Sequence, residues 1–294
     1  MKIYAAIEAG GTKFNCAIFD ENRNKLDSIR LDTTTPDETL AWVIDFFQAQ
    51  RDKGMQFEAL GVASFGPLDL DKGSSTYGYI TATPKPNWSN VDLIGPLADA
   101  LNCPVALDTD VNGAGLAEYT WGAGQNCESL VYITVGTGLG GGVIINGKPL
   151  HGLVHPEIGH MLLPKIDGVT GHCPFHENCA EGYASGRAME HMWGQPAHTF
   201  ESSHPAWTRQ VEVLAQVCHN LLVSLSPQKI VMGGGVMSQS HLLPRVIEAT
   251  SQSLNGYLTL PSHLSISDVI VSPQLGDISG LFGAFALAKN IAPA

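Results

Sequence analysis

A chain of 294 residues is long enough for one large domain or for two lobes of roughly 150 residues each. Its 44% hydrophobic and 15% charged residues are typical of a packed globular protein and exclude a disordered chain. The 28 acidic and 16 basic residues give a net charge of −12. This charge argues against nucleic-acid and anionic-membrane partners, because both are bound through clustered Lys and Arg.

The N-terminal residues MKIYAAIEAGGTKF lack the apolar run and cleavage site of a secretory signal. No stretch of the sequence approaches the ~20 consecutive apolar residues that a membrane-spanning helix needs. We therefore expect a cytoplasmic protein without a membrane partner. Disulfides are rare in that compartment, so clustered cysteines there indicate metal binding or catalysis.

The first half of the chain predicts three successive strands, followed by alternating helices and strands. Asp37 begins a segment with helical spacing of its apolar residues and with acidic residues in its first turn. The predicted elements are strands at 3–7, 14–19 and 26–31, a helix from Asp37, a strand at 60–66, a helix at 91–102, a strand at 104–109 and a helix at 111–121.

The second half repeats this order of elements. The predicted elements are strands at 129–136, 141–147 and 160–164, helices at 180–193 and 207–226, a strand at 229–232, a helix at 241–257, a strand at 265–271 and a helix at 277–290. Both halves begin with strands and continue with alternating helices and strands. The sequence therefore predicts a duplicated α/β unit with a cleft between the two copies.

Two glycine-rich turns lie at matching places in this repeat, each between two apolar strands. Glycine lets backbone N–H groups approach a ligand closely, and a Thr hydroxyl beside them adds a further donor. Two such turns predict a polyphosphate site, with Glu8 near a metal-bound water, although a pair of ordinary hairpins is the alternative. The residues concerned are Gly10, Gly11, Thr12 and Lys13 in the first turn, and Thr134, Gly136, Thr137 and Gly138 in the second.

Residues 136–141 also match the dinucleotide-binding pattern G-x-G-x-x-G. That pattern needs a helix directly after the strand. Here a β-branched segment follows and ends at Asn146-Gly147, which is a hairpin signal. We therefore do not expect a nicotinamide cofactor.

A cysteine–histidine cluster stands out in the sequence CPFHENC at 173–179. Cys173, His176 and Cys179 belong to the nitrogen and sulfur ligands that structural zinc prefers. A redox-active cysteine pair is disfavoured because the spacing is not C-x-x-C. The residues alone leave the fourth ligand open, with His172 as one candidate.

Eight segments, in order along nearly the whole chain, resemble the ROK family of sugar kinases and its bacterial fructokinases in particular. They are EAGGTKF (8–14), SFGPLD (64–69), TPKPNW (83–88), DTDVNGAGLAE (108–118), TVGTGLGGG (134–142), HPEIGH (155–160), CPFHENCAEG (173–182) and GGGVM (233–237). The resemblance implies an α/β, actin-like ATPase (ribonuclease H-like) fold with two related lobes around a cleft. Residues 1–118 would form the small lobe, with a C-terminal helix at 278–294 packing back on it, and residues 119–277 the larger lobe.

The resemblance also implies phosphoryl transfer from ATP with Mg²⁺ to a hexose hydroxyl, most closely that of fructose. Asp110 matches the family's catalytic base, and a carboxylate at a strand end can accept the proton of an attacking hydroxyl. The alternative is that Asp110 only caps the helix predicted from Val111. Asp108 is the weaker candidate for the base.

The family match assigns three further groups of residues. The hexose would contact Glu157, His160 and Glu181, with Ser64, Gly66 and Asn87 as lesser candidates. The adenosine side of ATP would contact Gly233, Gly234, Gly235, Val236 and Met237, although this segment also fits a helix entry capped by Ser238. His160 would be the fourth ligand of a structural Zn²⁺ bound by His160, Cys173, His176 and Cys179. Departures from the family pattern are Thr109, where Asn is usual, and Asn87, where Gly is common.

We expect a homodimer, because family members are commonly dimers. Within the enzyme class the alternatives are a glucokinase, a mannokinase and an N-acetylhexosamine kinase. ROK transcriptional regulators share the sugar-binding lobes but carry an N-terminal DNA-binding segment of several dozen residues, whereas here EAGG begins at residue 8. A non-catalytic sugar-sensing protein is the remaining alternative, and the presence of Asp110 argues against it.

Overall fold

The structure is a computed structural model that describes residues 1–292. Its strands and helices, in chain order, are β1 (Ile3–Ala9), β2 (Lys13–Asp20), β3 (Lys25–Asp32), α1 (Pro36–Asp52), β4 (Ala59–Ser64), β5 (Tyr79–Ile80), β6 (Val91–Asp92), α2 (Gly95–Leu101), β7 (Val105–Thr109), α3 (Asp110–Trp121), β8 (Ser129–Val135), β9 (Leu139–Ile145), β10 (Lys148–Pro149), α4 (Ala180–Ala184), α5 (Gly186–Trp193), α6 (Pro205–Leu225), β11 (Lys229–Gly233), α7 (Leu242–Leu254), α8 (Ile266–Val269), β12 (Ile270–Val271) and α9 (Ser279–Ile291). Short 3₁₀ turns cover Ile158–His160, Ala197–Thr199, Gly235–Ser238 and Gly276–Ile278. The end of the C-terminal helix predicted at 278–294 lies outside the described residues.

The chain divides into two compact units. Unit 1 contains residues 1–117, residues 151–155 and the C-terminal segment from Ile278, and unit 2 contains residues 118–150 and 156–277. The short segment 151–155 groups with unit 1, although in sequence it lies between two stretches of unit 2. Two histidine side chains explain this, because His151 contacts Asp108 and His155 accepts a hydrogen bond from the N–H of Leu68.

The two units contain sheets of the same topology. The order is β3-β2-β1-β4-β7 in unit 1 and β10-β9-β8-β11-β12 in unit 2. In each sheet the first three strands pair antiparallel, and the remaining two add in parallel. The predicted duplication of an α/β unit is therefore confirmed.

Helix α9 packs on the sheet of unit 1 through very small residues. A methyl group added to Gly61 of β4 would lie 1.8 Å from the carbonyl oxygen of Ala284, and one on Gly283 would lie 2.1 Å from the backbone of Gly113 in α3. Only glycine permits these approaches. A methyl group on Gly280 would lie 2.1 Å from Oε1 of Glu8, so the start of α9 lies against the side chain of Glu8.

Unit 2 has its own apolar core, formed by its sheet and by helix α6. The apolar face of α6 buries, among others, Trp207, Val213 and Leu221. Pro205 opens this helix at its first position, where a missing N–H costs nothing. None of the helices within residues 1–292 combines the length and apolar character needed to cross a lipid bilayer.

Several predicted elements differ from those observed. The segment 160–164 is not a strand, since only Leu162 makes a β-bridge, with Cys179. The segment 265–271 begins as helix α8, because Ser265 and Asp268 form a capping box at its start. The helix predicted at 180–193 is divided at Ser185, whose hydroxyl accepts the N–H of Ala188 and so begins α5.

The helix predicted at 91–102 is shorter than expected. Residues Val91–Asp92 form β6, and α2 begins only at Gly95. The side chain of Asp92 accepts the N–H of Gly95 at 2.8 Å and thereby marks the helix start. Asn102, with a φ of 43°, ends the helix in the left-handed conformation that Asn tolerates.

Candidate active site

The glycine turn of unit 1 joins β1 to β2. The N–H of Gly10 donates to the carbonyl of Lys13 at 2.9 Å, which closes a tight hairpin. A methyl group at Gly11 would meet no protein atom within 4 Å, and the φ of Gly11 lies outside the left-handed region. Neither packing nor backbone conformation therefore requires glycine at position 11. Close approach of a ligand to the backbone is the remaining physical reason for it.

The glycine turn of unit 2 occupies the same place, between β8 and β9. The N–H of Gly136 donates to the carbonyl of Gly138 at 2.9 Å. A methyl group at Gly136 would likewise meet nothing within 4 Å. Thr134 is half-buried and Thr137 is exposed on this turn. Both turns thus present a glycine whose Cβ direction is open.

A carboxylate of unit 2 holds this second turn. Oε2 of Glu181 accepts the N–H of Leu139 at 3.0 Å, and a methyl group on Gly138 would lie 2.7 Å from the same oxygen. The carbonyl of Gly136 in turn accepts the N–H of Gly186, at the start of α5, at 2.7 Å. One predicted hexose ligand is therefore in direct contact with one predicted phosphate turn.

The segment 233–237 follows β11 and passes into a 3₁₀ turn. Gly234 has a φ of 92°, and a methyl group there would lie 2.5 Å from the backbone of Val135, so the structure requires glycine at this position. Gly235 is exposed, and its Cβ position is open. Ser238 donates to the carbonyl of Gly235 and does not cap α7, which begins only at Leu242. The alternative of a capped helix entry at Ser238 is therefore wrong.

Helix α3 begins at Asp110, directly after β7. Its cap is Thr109, whose hydroxyl accepts the N–H of Asn112 at 3.1 Å. The alternative role of Asp110 as the cap is therefore wrong. Oδ1 of Asp110 accepts the N–H of Val111 at 2.9 Å, and the side chain lies half-buried at the strand end, where the sequence predicted a base.

Asp108 is buried and occupied by other contacts. Its Oδ1 accepts from the N–H of Thr109 at 2.8 Å and from Nδ2 of Asn112 at 2.7 Å, and its Oδ2 lies 3.0 Å from Nε2 of His151. The hydrogen bond to Asp108 raises the pKa of His151 above its ordinary value. These contacts make Asp108 a support for the strand end that carries Asp110.

Two loops of unit 1 carry the lesser hexose candidates. Ser64 is fully buried and donates to the carbonyl of Phe65, so its hydroxyl does not face solvent. Gly66 precedes a cis peptide bond to Pro67. Asn87 is exposed, with a φ of 70°, which explains why Asn takes the place of a common Gly there.

Trp88 packs together three functional segments of unit 1. Its ring is fully buried and lies against Phe14, which follows the glycine turn, and against Phe65 of the SFGP loop, with centroid distances of 5.5 and 5.6 Å. Its Nε1 donates to the carbonyl of Thr34 at 2.9 Å. The glycine turn, the SFGP loop and the TPKPNW segment therefore form one rigid arrangement.

The two carboxylates predicted to bind hexose influence each other in unit 2. Burial first, and the charge of Glu181 second, raise the pKa of Glu157 above its ordinary range. The backbone carbonyl of Glu157 accepts the N–H of His160. Two neighbouring carboxylates offer paired acceptors for adjacent hydroxyl groups, which is the arrangement that sugar binding needs.

His160, Cys173, His176 and Cys179 come together in unit 2. Their ligand atoms all lie within 4.8 Å of one another, and Sγ of Cys173 lies 3.8 Å from Nδ1 of both histidines. A tetrahedral zinc with ordinary bond lengths would hold sulfur and nitrogen about 3.6 Å apart. The donor set and its spacing therefore fit a structural zinc.

Burial is the main cause that raises the pKa of the Cys179 thiol to about 11, so this cysteine would ionise only with a positive charge beside it. The rival ligand His172 is not a member of the cluster; its ring stacks on His191 at 4.3 Å. Cys179 also caps α4, which carries Glu181, so the cluster joins the two segments predicted to bind hexose.

The ROK family model matches residues 4–291 of the chain. The chain belongs to the ROK family. It is 46% identical to the fructokinase of Zymomonas mobilis, over 98% of this chain and 96% of that protein, and 42% identical to the fructokinase of Streptococcus mutans, over 99% of both. Identity to the glucokinase of Streptomyces coelicolor is 27%, over 100% of this chain and 99% of that protein.

Solved structures of the ROK family share the fold. The hexokinase from Thermus thermophilus matches with a TM-score of 0.80 at 27% identity, over 98% of each chain. A glucokinase from Streptomyces griseus, in complex with glucose and AMPPNP, matches with a TM-score of 0.73 at 25% identity, over 98% of this chain and 99% of that chain. The predicted actin-like ATPase fold with two related units is confirmed.

Sequence reasoning missed several residues that support the site. Oxygens of Glu118, a fully buried carboxylate, accept the N–H groups of Ala123, Gln274 and Leu275. Thr33 and Lys85 join the glycine turn of unit 1 to the TPKPNW segment. Glu118 and Lys85 lie within two of the segments that resemble the ROK family, so the sequence could have identified them as candidate site residues. Their hydrogen-bond partners are distant in sequence and could not have been predicted.

Proposed function

We propose that this chain is an ATP-dependent fructokinase, which transfers the γ-phosphoryl group of MgATP to the 6-hydroxyl of fructose. One observation carries the choice of sugar. Identity to fructokinases reaches 46%, whereas identity to a glucokinase over the same span is 27%. That difference separates the two activities within one family and favours fructose.

In this reaction Asp110 is the base. Its carboxylate accepts the proton of the 6-hydroxyl while that oxygen forms a bond to the γ-phosphorus, and the bond to the β,γ-bridging oxygen breaks to release ADP. Because the transition state of phosphoryl transfer is loose, the position of the carboxylate matters more than its base strength. Thr109 as cap and Asp108 as buried support keep the strand end in place.

Fructose is bound by paired acceptors. Glu157 and Glu181 accept hydrogen bonds from adjacent sugar hydroxyls, and His160 lies on the same short segment as Glu157. Gly66 and Asn87 are the lesser candidates for sugar contacts, while the buried hydroxyl of Ser64 supports its loop from within. The raised pKa of Glu157 means that hydroxyl donors from a sugar relieve an unfavourable local charge.

ATP is bound through backbone amides and not through a cluster of basic side chains. The open Cβ positions of Gly11 and Gly136 give phosphate oxygens access to the two turns, and Thr12, Thr134 and Thr137 add hydroxyl donors. Residues 233–237 contact the adenosine. Mg²⁺ enters with ATP, and Glu8, held by Nδ2 of Asn15 at 2.8 Å, contacts its water shell.

Zinc is the metal of the cysteine–histidine cluster. Bound there, it supplies structural cross-linking, since a closed set of four protein ligands leaves no position for a substrate. Its ligands join the segment of Glu157 to helix α4, which carries Glu181. The cluster therefore shapes the hexose pocket and takes no part in phosphoryl transfer.

The functional lobes are residues 1–118 with the C-terminal helix, and residues 119–277. The first lobe carries the base and the second carries the zinc cluster. The active form is a homodimer, as is common in this family. Sedimentation or light scattering at working concentration tests the last point, and a monomer with full activity would contradict it.

A coupled ADP-release assay with Mg²⁺ across a hexose panel tests the activity. We expect kcat/KM for fructose to exceed the values for glucose, mannose and N-acetylmannosamine. Glucose turnover equal to or better than fructose turnover would make the chain a glucokinase. Absence of ADP release with every sugar, from protein that binds fructose, would favour the sugar-sensing alternative.

A further inference from the structure

Lys13, the phosphate ligand predicted in the glycine turn of unit 1, already has a carboxylate partner, because its Nζ lies 2.7 Å from Oδ1 of Asp32. The hydrogen bond from Lys13 lowers the pKa of Asp32, so the pair is charged. Lys13 also lines an open surface groove with Arg30 and Trp42, on the outer side of β3.

Lys85 is the cationic side chain that the fold directs to this turn. Its Nζ lies 3.1 Å from the carbonyl oxygen of Thr33. Thr33 is itself held on the turn, because its hydroxyl donates to the carbonyl of Gly10 at 2.7 Å and its N–H donates to the carbonyl of Thr12 at 2.9 Å. Through Thr33, the ammonium group lies beside the residues that close the turn.

The ammonium of Lys85 has donors left for a ligand. An ammonium carries three N–H bonds, and the carbonyl of Thr33 accepts one of them. Within residues 1–292, no carboxylate lies within 4.0 Å of this nitrogen, in contrast to Lys13 with Asp32 and Lys165 with Glu177. The positive charge of Lys85 is therefore not neutralised by a side chain of the described protein.

The backbone that carries Lys85 is rigid. Trp88, three residues later, is buried and bonded to Thr34, and its ring packs on Phe14 and Phe65. The N–H of Lys85 donates to Oγ1 of Thr83 at 3.3 Å. A preorganised charge of this kind stabilises a developing anion more than a mobile one does, because little reorganisation is needed.

We propose that Lys85 binds the phosphoryl group that is transferred, first as the γ-phosphate of ATP and then as the phosphate of the sugar product. The proposal rests on the proposed kinase function. The same short segment carries Asn87, a proposed hexose contact, and the group that reaches the hexose is the γ-phosphate. ADP, which stays behind after transfer, does not contact Lys85.

The test compares nucleotide binding by the wild-type protein and by Lys85→Met, Lys85→Arg and Lys53→Met. Lys53 is the matched control, because its exposed ammonium in unit 1 contacts only the side chain of Gln50, at 3.3 Å, among the described residues. Calorimetry with Mg²⁺ gives Kd for AMPPNP and for ADP. For Lys85→Met we expect Kd of AMPPNP to rise by roughly 10-fold or more, the usual loss for a hydrogen bond to a charged group. Kd of ADP should stay unchanged, and kcat should fall.

Lys85→Arg keeps the charge, so we expect it to retain most of the preference for AMPPNP over ADP. Equal weakening of AMPPNP and ADP in Lys85→Met, or no weakening of either, would overturn the proposal. If the lysine only pins its loop to Thr33, KM for fructose rises while both nucleotide Kd values hold, which also overturns it. The binding comparison needs no sugar, so it stands apart from the hexose panel: a wild-type protein inactive on fructose would refute the proposed function alone.

Discussion

The two glycine turns occupy the same place in two copies of one sheet, yet different parts of the chain hold them. In unit 1 the turn is fixed by Thr33 and, through it, by Lys85, with hydrogen bonds alone. In unit 2 the turn is fixed by Glu181, whose helix begins at a residue of the cysteine–histidine cluster. The two proposed phosphate turns therefore share a place in the repeated sheet but are held by different neighbouring segments.

The difference has a physical origin in the segment between β10 and α4. Residues 150–179 contain almost no regular secondary structure, so their backbone hydrogen bonds are scattered and form no continuous ladder. A cross-link by four side chains can hold such a segment without a sheet or a helix. Unit 1 needs no such device, because Trp88 packs its loops on an apolar core.

The largest expected effect is in unit 1. Asp110→Asn keeps the shape of the side chain but removes the proton acceptor, so we expect kcat to fall by roughly 10²-fold or more. Thermal stability and ATP binding should hold, since Thr109 and not Asp110 caps α3.

Thr109→Ala is the matched control for this substitution. Loss of the cap should cost about 1 kcal/mol in the free energy of unfolding but keep the carboxylate of Asp110, so kcat should fall far less than in Asp110→Asn. If Asp110→Asn stays active but melts at a lower temperature, the base lies elsewhere.

The second-largest expected effect is at the cysteine–histidine cluster of unit 2. His160→Ala should lose zinc, measured by mass spectrometry of the metal content, and should raise KM for fructose more than KM for ATP. The reason is that the cluster joins the segments of Glu157 and Glu181.

His172→Ala is the control here, because its ring stacks on His191 outside the cluster. It should retain a full complement of zinc. Full zinc in His160→Ala, with depleted zinc in His172→Ala, would overturn the ligand assignment.

The smallest expected effects come from substitutions at the two glycine turns. Gly11→Ala and Gly136→Ala each place a methyl group where the protein has no atom within 4 Å. We expect each to raise KM for ATP several-fold. The free energy of unfolding should be unchanged or higher by about 0.4–1 kcal/mol, because alanine restricts the unfolded chain.

Gly10→Ala is the contrasting variant, since its methyl group would lie 2.8 Å from the carbonyl of Lys13 and should destabilise the turn itself. If KM for ATP responds at Gly136 but not at Gly11, only the turn of unit 2 holds phosphate. That outcome would show that the two turns are not equivalent in binding ATP.

The sequence predicted the repeated order of elements because apolar periodicity in strands and helices is a local signal. The prediction of secondary structure was wrong mainly for segments whose conformation depends on tertiary contacts. The short apolar run in HMLLP resembles a strand, but the segment is held by the cluster at His160 and by the backbone of residues 178–180. The strand predicted at 265–271 ignored the S-x-x-D signal of Ser265 and Asp268, which was readable.

The candidate site likewise contains residues that a local pattern predicts and residues that it does not. The two glycine turns and the ligands Cys173, His176 and Cys179 were readable from spacing. The contacts of Lys85 with Thr33, and of His151 with Asp108, join residues 52 and 43 positions apart. No local pattern encodes such a pairing, so only the folded chain reveals these supports.

Unit 1 cannot complete its fold until helix α9 has been synthesised. Unit 1 is assembled from the first 117 residues, from residues 151–155 and from the last helix, whose backbone touches Gly61 and Gly113. A ribosome synthesises the partner strands first and this helix last, whereas unit 2 is fully synthesised by residue 277. We therefore expect unit 2 to be able to fold before unit 1 is complete. In a released chain truncated after residue 277, unit 2 should resist protease while unit 1 is digested.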